Sequence, residues 1–103
     1  PPSRAGDSVP TYIRLVKFSD QGVRNVRSMS DQMAEARKII EANDAKLVNS
    51  WSTLGRYDVI AVLEAPDDRT MMRISALIAE KVHVQAETLP AIPSSEFAKL
   101  VGK

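Results

Sequence analysis

The stretch from Tyr57 to Ala65 narrows the fold more than any other part of the chain. Val59, Ala61 and Leu63 alternate with Asp58, Ile60, Val62 and Glu64, so both faces of an extended strand are largely apolar here. Such a strand belongs in the middle of a sheet, where something covers each side. Gly55-Arg56 before it reads as a tight turn, and Lys46 to Leu54 before that reads as a strand, with Val48, Ser50 and Ser52 on one face and Asn49, Trp51 and Thr53 on the other.

The remaining segments fall into place around this hairpin. Thr11 to Phe18 alternates as a first strand, with Ile13 and Leu15 on one side and Tyr12, Arg14, Val16 and Phe18 on the other. Ser19-Asp20-Gln21-Gly22 turns the chain, and a polar loop leads to Ser28 or Ser30 as the cap of a first helix carrying Met33, Ala36, Ile39 and Ile40 on its buried stripe. That helix ends near Asn43-Asp44. Pro66-Asp67-Asp68 opens a second helix with Met71, Ile74, Leu77 and Ile78 inward, since aspartates complement the positive end of the helix dipole. Val82 to Leu89 supplies a last strand, and Pro93-Ser94-Ser95 caps a short helix whose Phe97, Leu100 and Val101 are spaced to dock on the domain.

The order β, α, β, β, α, β predicts a ferredoxin-like α+β fold. Its antiparallel sheet of four strands has the first and third strands in the middle and both helices on one face. The expected helix-facing set is Ile13, Leu15, Val48, Val59, Ala61, Leu63, Val82 and Val84. The expected open face carries Arg14, Val16, Phe18, Asn49, Trp51, Asp58, Ile60, Val62, His83, Gln85 and Glu87. A half-apolar open face predicts an interface, most simply a homodimer or a higher even-numbered homo-oligomer.

Composition bounds the chemistry. At 103 residues the chain fits one domain, read here as residues 11–103 behind a flexible tail of residues 1–10. With 44% apolar and 26% charged residues it has globular composition, and interspersed charges with a net +1 leave no basic stripe for nucleic acid. There are no cysteines, which removes disulfides, thiolate nucleophiles and iron-sulfur clusters and fits a reducing, cytoplasmic setting. The longest apolar run, Val59 to Leu63, is far below the roughly 20 residues that span a bilayer, so no membrane partner is expected. Gly6, Gly22, Gly55 and Gly102 are too scattered for a phosphate-binding loop, and no serine-nucleophile elbow is present.

The segment Gly55-Arg56-Tyr57-Asp58-Val59-Ile60-Ala61-Val62 resembles the signature of the GYD domain family. Pro10-Thr11-Tyr12, Asp20-Gln21-Gly22 with Asn25 after it, Thr53-Leu54, Glu64-Ala65-Pro66-Asp67-Asp68 and Glu87-Thr88-Leu89 agree with it. The resemblance covers everything after the tail. It implies a ferredoxin-like domain of the dimeric α/β-barrel group and carries no catalytic residue onto this chain. Groups with that architecture include cofactor-free monooxygenases, haem proteins, stress-response barrels and amino-acid-sensing domains, so the fold alone does not name a function.

The candidate pocket or interface residues are Arg14, Trp51, Tyr57, Asp58, His83 and Glu87. Tyr57 and Asp58 beside Gly55 could orient a polar ligand or move a proton; equally, they could serve the turn, with the aspartate bonding backbone amides. Arg14 and Asp58 could pair across neighbouring strands. His83 is the sole histidine, a candidate base or, on a solvated strand, an ordinary interface residue; haem would need it as axial ligand. Nothing has the spacing of a metal site, and no cofactor is expected. Trp51 suits a dimer anchor or a stacking platform, and Met29, Met33, Met71 and Met72 suit core filling. Arg24 and Arg27 mark a candidate anion-binding loop before the first helix, against the plainer reading of a solvated loop.

The leading expectation is a non-catalytic oligomeric module presenting a surface for a small molecule or a partner protein. The alternative is a cofactor-free monooxygenase or isomerase acting on a small organic substrate, with His83 or Asp58 as base and Tyr57 and Trp51 positioning. A third is a subunit of a larger particle, joined through the C-terminal helix and the outer strands.

Overall fold

The computed structural model describes residues 9–19 and 26–102. The expected tail over residues 1–8 and the candidate Arg24 lie outside the described residues. Pro10, assigned to that tail, is already tied to the sheet: its carbonyl accepts from the amide of Ala65 at 3.2 Å. In chain order the elements are β1 (Thr11–Phe18), α1 (Val26–Ala42), β2 (Lys46–Ser52), β3 (Val59–Glu64), α2 (Asp68–Lys81), β4 (Val84–Ala91) and α3 (Ser94–Leu100). The strands form one antiparallel sheet in the order β2-β3-β1-β4. This is the expected ferredoxin-like arrangement, with β1 and β3 central and α1 and α2 covering one face.

The core lies between that face and the helices, in two parts. The larger part joins Tyr12, Leu63 and Ala61 of the sheet to Ile40 of α1 and to Met71, Ile74 and Ile78 of α2. The smaller part joins Val16, Phe18 and Val59, with Met29 and Met33 of α1 packed on them. As the sequence pattern predicts, Met71, Ile74 and Ile78 repeat at helical spacing and are buried. Asp67 caps α2, its Oδ1 accepting from the Thr70 amide at 2.8 Å and from the Thr70 hydroxyl at 2.7 Å. These bonds to the charged form hold the Asp67 carboxyl below its ordinary range, the backbone bond acting most strongly.

Several expectations are corrected. β1 faces the other way: Tyr12, Arg14, Val16 and Phe18 are buried beneath the helices, and Ile13, Leu15 and Lys17 lie on the open face. The alternation holds with its polarity reversed: Tyr12, Val16 and Phe18 carry more apolar surface than Ile13 and Leu15, and Arg14 shares their parity. In β2 the pairing shifts between Leu47 and Asn49, and this bulge absorbs one residue of the alternation. Leu47 therefore packs on the core, and Val48 is 47% exposed. The last strand begins two residues later than expected. Val82 still belongs to the end of α2, its amide bonding the Ile78 carbonyl at 2.8 Å, and the ladder starts where Val84 pairs with Phe18. α1 begins at Val26, earlier than Ser28 or Ser30, so Arg27 sits in its first turn with an exposed side chain. α3 does not dock: Phe97, Leu100 and Val101 are 57%, 74% and 56% exposed.

The loop between β2 and β3 turns at Gly55, whose φ of 101° lies in the region that side chains disfavour. A Cβ there would meet nothing within 4 Å, so the only obstacle to substitution is backbone conformation. Gly55→Ala should therefore lower unfolding stability by about 1–2 kcal/mol without changing the fold, measured by urea denaturation and circular dichroism.

Candidate functional site

The uncovered face of the sheet follows from the pairing register. Trp51 opposes Ile60, which opposes Leu15, which opposes Glu87; in the next row Asn49, Val62, Ile13 and Leu89 line up in the same way. Both rows are apolar across the middle strands and polar at one edge. Ile13, Leu15, Ile60 and Val62 are partly buried by their neighbours, while Trp51 and Leu89 are 49% and 38% exposed. No element of the described chain covers this face. Removing its apolar rows from water would be favourable.

Of the expected site residues, Trp51 and Glu87 are on this face. Tyr57 reaches it from the turn: its hydroxyl donates to Glu87 Oε1 at 3.1 Å, bridging the end of β3 to the edge strand β4. Asp58 has a different task. Its Oδ2 accepts from the Phe18 amide at 2.9 Å and its own amide donates to the Val16 carbonyl at 2.8 Å, so it closes the end of the β1–β3 ladder. On the other side its carbonyl accepts from the Thr53 amide at 3.0 Å. The expected bonding of backbone amides is present, but to a neighbouring strand rather than to the turn itself.

His83 lies outside the strand, exposed, in the link between α2 and β4. Its backbone binds Gln32 Oε1 at 2.8 Å and Ser19 at 3.0 Å, and no hydrogen bond joins its side chain to Asp58, Trp51 or Glu87. Among the described residues no group of three or more histidine, aspartate or glutamate side chains could hold a metal ion, and no helix is long and apolar enough to cross a membrane.

Arg14 is on the opposite side of the sheet from the other candidates, so the expected pair with Asp58 does not form. It is only 5% exposed, and its Nη1 donates to Ser75 Oγ of α2 at 2.9 Å and to Thr88 Oγ1 of β4 at 3.2 Å. Burial pushes its pKa down, yet an arginine stays charged. Burying an ion carries a penalty of several kcal/mol unless charge and hydrogen bonds compensate it. Two hydroxyls are modest compensation.

Tyr12, two residues earlier on the same side, donates to Asp68 Oδ1 at 2.5 Å and ties β1 to the first turn of α2. Burial, the bond to Asp68 and the nearby carboxylates push its phenol up to about 12.

Comparison with known proteins agrees with this fold. The GYD domain model matches residues 12–101. The chain belongs to the GYD domain family. This GYD domain is 29% identical over 90 residues to the glutamine synthetase and cystathionine beta-lyase binding protein of Thermus thermophilus, covering 86% of this chain and 95% of that one. Among solved structures it is similar to an AsnC family transcriptional regulator from Agrobacterium tumefaciens at 9% identity and a TM-score of 0.59. It spans 86% of its own length there but only about half, 54%, of the regulator. A second solved structure, TTHA0845 from Thermus thermophilus, matches at 17% identity and a TM-score of 0.54 over 82% of this chain and 94% of that one. Both share the fold of this GYD domain.

The Tyr12–Asp68 bond sets an alkaline limit on stability. The folded pKa lies above the unfolded value near 10, so the contribution is complete below pH 10 and lost as pH rises toward 12, where phenolate would face carboxylate. Stability measured by urea denaturation should fall across that window. In Tyr12→Phe the fall should flatten and neutral-pH stability drop by about 1 kcal/mol.

Proposed function

We propose that this GYD domain is a non-catalytic binding module that pairs with a second copy of itself through its open sheet face and engages a partner protein as the paired unit. The observation that carries the reading is the apolar double row Trp51–Ile60–Leu15 and Val62–Ile13–Leu89, uncovered by the described chain. A flat face whose own edge is polar is self-complementary under a twofold axis, which brings Trp51 against a central strand of the other copy. Phe97, Leu100 and Val101 of α3, which their own chain leaves exposed, add a second apolar patch.

The positions first considered for catalysis support binding over turnover. One oxygen of Asp58, Oδ2, accepts from the Phe18 amide, Tyr57 donates to Glu87, and Arg14 lies on the far side of the sheet. The name of the Thermus relative, which binds glutamine synthetase and cystathionine beta-lyase, supports an enzyme as partner. Those two enzymes are the partners to test first. A reducing, cytoplasmic setting is consistent with such partners.

Two measurements test the reading. Native mass spectrometry should give an even-numbered oligomer for the wild type and a folded monomer for Ile60→Asp, which sets a charge in the middle of the apolar row. Biolayer interferometry should show the wild type binding immobilised glutamine synthetase or cystathionine beta-lyase from the same organism, with Ile60→Asp weakened at least tenfold. A wild-type monomer would overturn the pairing. Failure to bind either enzyme, with pairing intact, would overturn the choice of partner alone.

A further inference from the structure

Arg14 stands at the seam between the two parts of the core, with Tyr12 in one and Val16 and Phe18 in the other. Among the described residues it is the one charged side chain that is buried. Its Nη1 donates to Ser75 Oγ and to Thr88 Oγ1, while Nε and Nη2 have no acceptor and no carboxylate pairs with the charge among those residues. No side-chain nitrogen there is both sealed from solvent and unpaired, so the two free nitrogens open onto space that admits a small solvent molecule.

Two openings are lined by the arginine itself. One is a void of about 30 Å³ beneath the helices, walled by apolar side chains such as Met33, Ile40 and Ile78 and by Arg37, whose Nε is already paired with Glu41 at 3.2 Å. The other is a cavity of about 90 Å³ in the seam between α2 and β4, lined by Arg14, Ser75, Ala79, Val84 and Ala86. Ala79 and Ala86 are exposed, so this cavity is entered from solvent between them.

The side chains around the larger cavity are donors and methyl groups. Ser75 Oγ accepts from Arg14, which leaves its own hydrogen to donate. Ala79, Val84 and Ala86 carry no polar side-chain atom, and no carboxylate lines either opening. Space does not choose the occupant, since one water needs only about 10–15 Å³. Bonding does. A buried water is held by about two to four partners and donates as well as accepts, and these side chains give it nothing to donate to. An anion only accepts, and it brings the counter-charge that two hydroxyls do not give a buried cation.

We infer that this α2–β4 cavity is a binding site for a monovalent anion of halide size, held between the guanidinium of Arg14 and the hydroxyl of Ser75. The site is on the helix side of the sheet, opposite the face assigned to pairing, so it stands or falls independently of the proposed assembly.

Chloride is the probe, with gluconate as a monovalent anion too large to enter. If chloride binds with a Kd of about 10 mM, replacing roughly 100 mM sodium gluconate by sodium chloride should raise the folding equilibrium constant about tenfold, read by urea denaturation at one protein concentration. Ser75→Ala removes a donor and leaves the charge in place, and it should cut that factor severalfold. Arg14→Met should abolish it. Equal wild-type stability in the two salts, or a chloride response that is unchanged in either variant, would overturn the inference. Should Arg14→Met fail to fold, wild-type crystals grown in sodium bromide decide: anomalous scattering should place a bromide ion within hydrogen-bond reach of both Arg14 and Ser75. A cavity holding water alone, or bromide found only on the outer surface, refutes the site.

Discussion

The orientation of β1 governs what lies on each side of the sheet. The strand runs between β3 and β4, so neither of its edges meets water, and its residues must be accommodated by the helix layer or by the open face. Tyr12, Val16 and Phe18 carry more apolar surface than Ile13 and Leu15, and burying the larger set beneath α1 and α2 gains more. Arg14 shares their parity and is carried inward with them. Much of the rest adjusts to that single charge: alanine at position 61, hydroxyls at 75 and 88, and alanines at 79 and 86 make room for it or bond it.

This orientation also divides the surfaces. With the aromatic side of β1 inside, the open face receives Ile13 and Leu15, which complete apolar rows with Ile60, Val62, Trp51 and Leu89. Had β1 faced the other way, Arg14 would have interrupted those rows and Phe18 would have extended them. The inward arginine thus produces two features together: a sheet face whose central rows are apolar, and a buried cation in the helix layer held by the hydroxyls of Ser75 and Thr88.

The elements themselves were legible in the sequence, since hydrophobic period and turn chemistry report them directly. β3 read correctly as central from Val59 to Leu63, and α2 from Asp67 and its stripe of Met71, Ile74 and Ile78. Polarity was harder to read, because a central strand is apolar on both faces and alternation alone does not say which face is inside. The cues available in β1 conflict: side-chain size, Tyr12 and Phe18 against Ile13 and Leu15, argues for burying that parity, and Arg14 on the same parity argues for exposing it. The bulge at Leu47/Asn49 left no mark in the pattern, so Val48 was placed inward. For α3, spacing showed that Phe97, Leu100 and Val101 share a face but could not show whether that face meets its own chain. The candidate site divided along the same line: Trp51, Tyr57 and Glu87 followed from alternation and the turn, whereas Arg14 depended on polarity.

The glycine, tyrosine and aspartate of the β2–β3 loop are accounted for by three jobs at one end of the sheet. Gly55 adopts the φ of 101° that reverses the chain. Asp58 then places its carboxylate where a further strand residue would have offered a backbone carbonyl to the Phe18 amide, while its own amide and carbonyl bind Val16 and Thr53. One residue so ties β1, β2 and β3 together and ends the β1–β3 ladder, because a side-chain acceptor cannot be followed by another rung. With the ladder ended, Tyr57 is free to leave the strand direction and reach across the open face to Glu87 on β4. Tyr57 and Glu87 thereby set a polar boundary beside the apolar rows. Gly55, Tyr57 and Asp58 together close the sheet's end and set a polar border to the apolar rows of its open face.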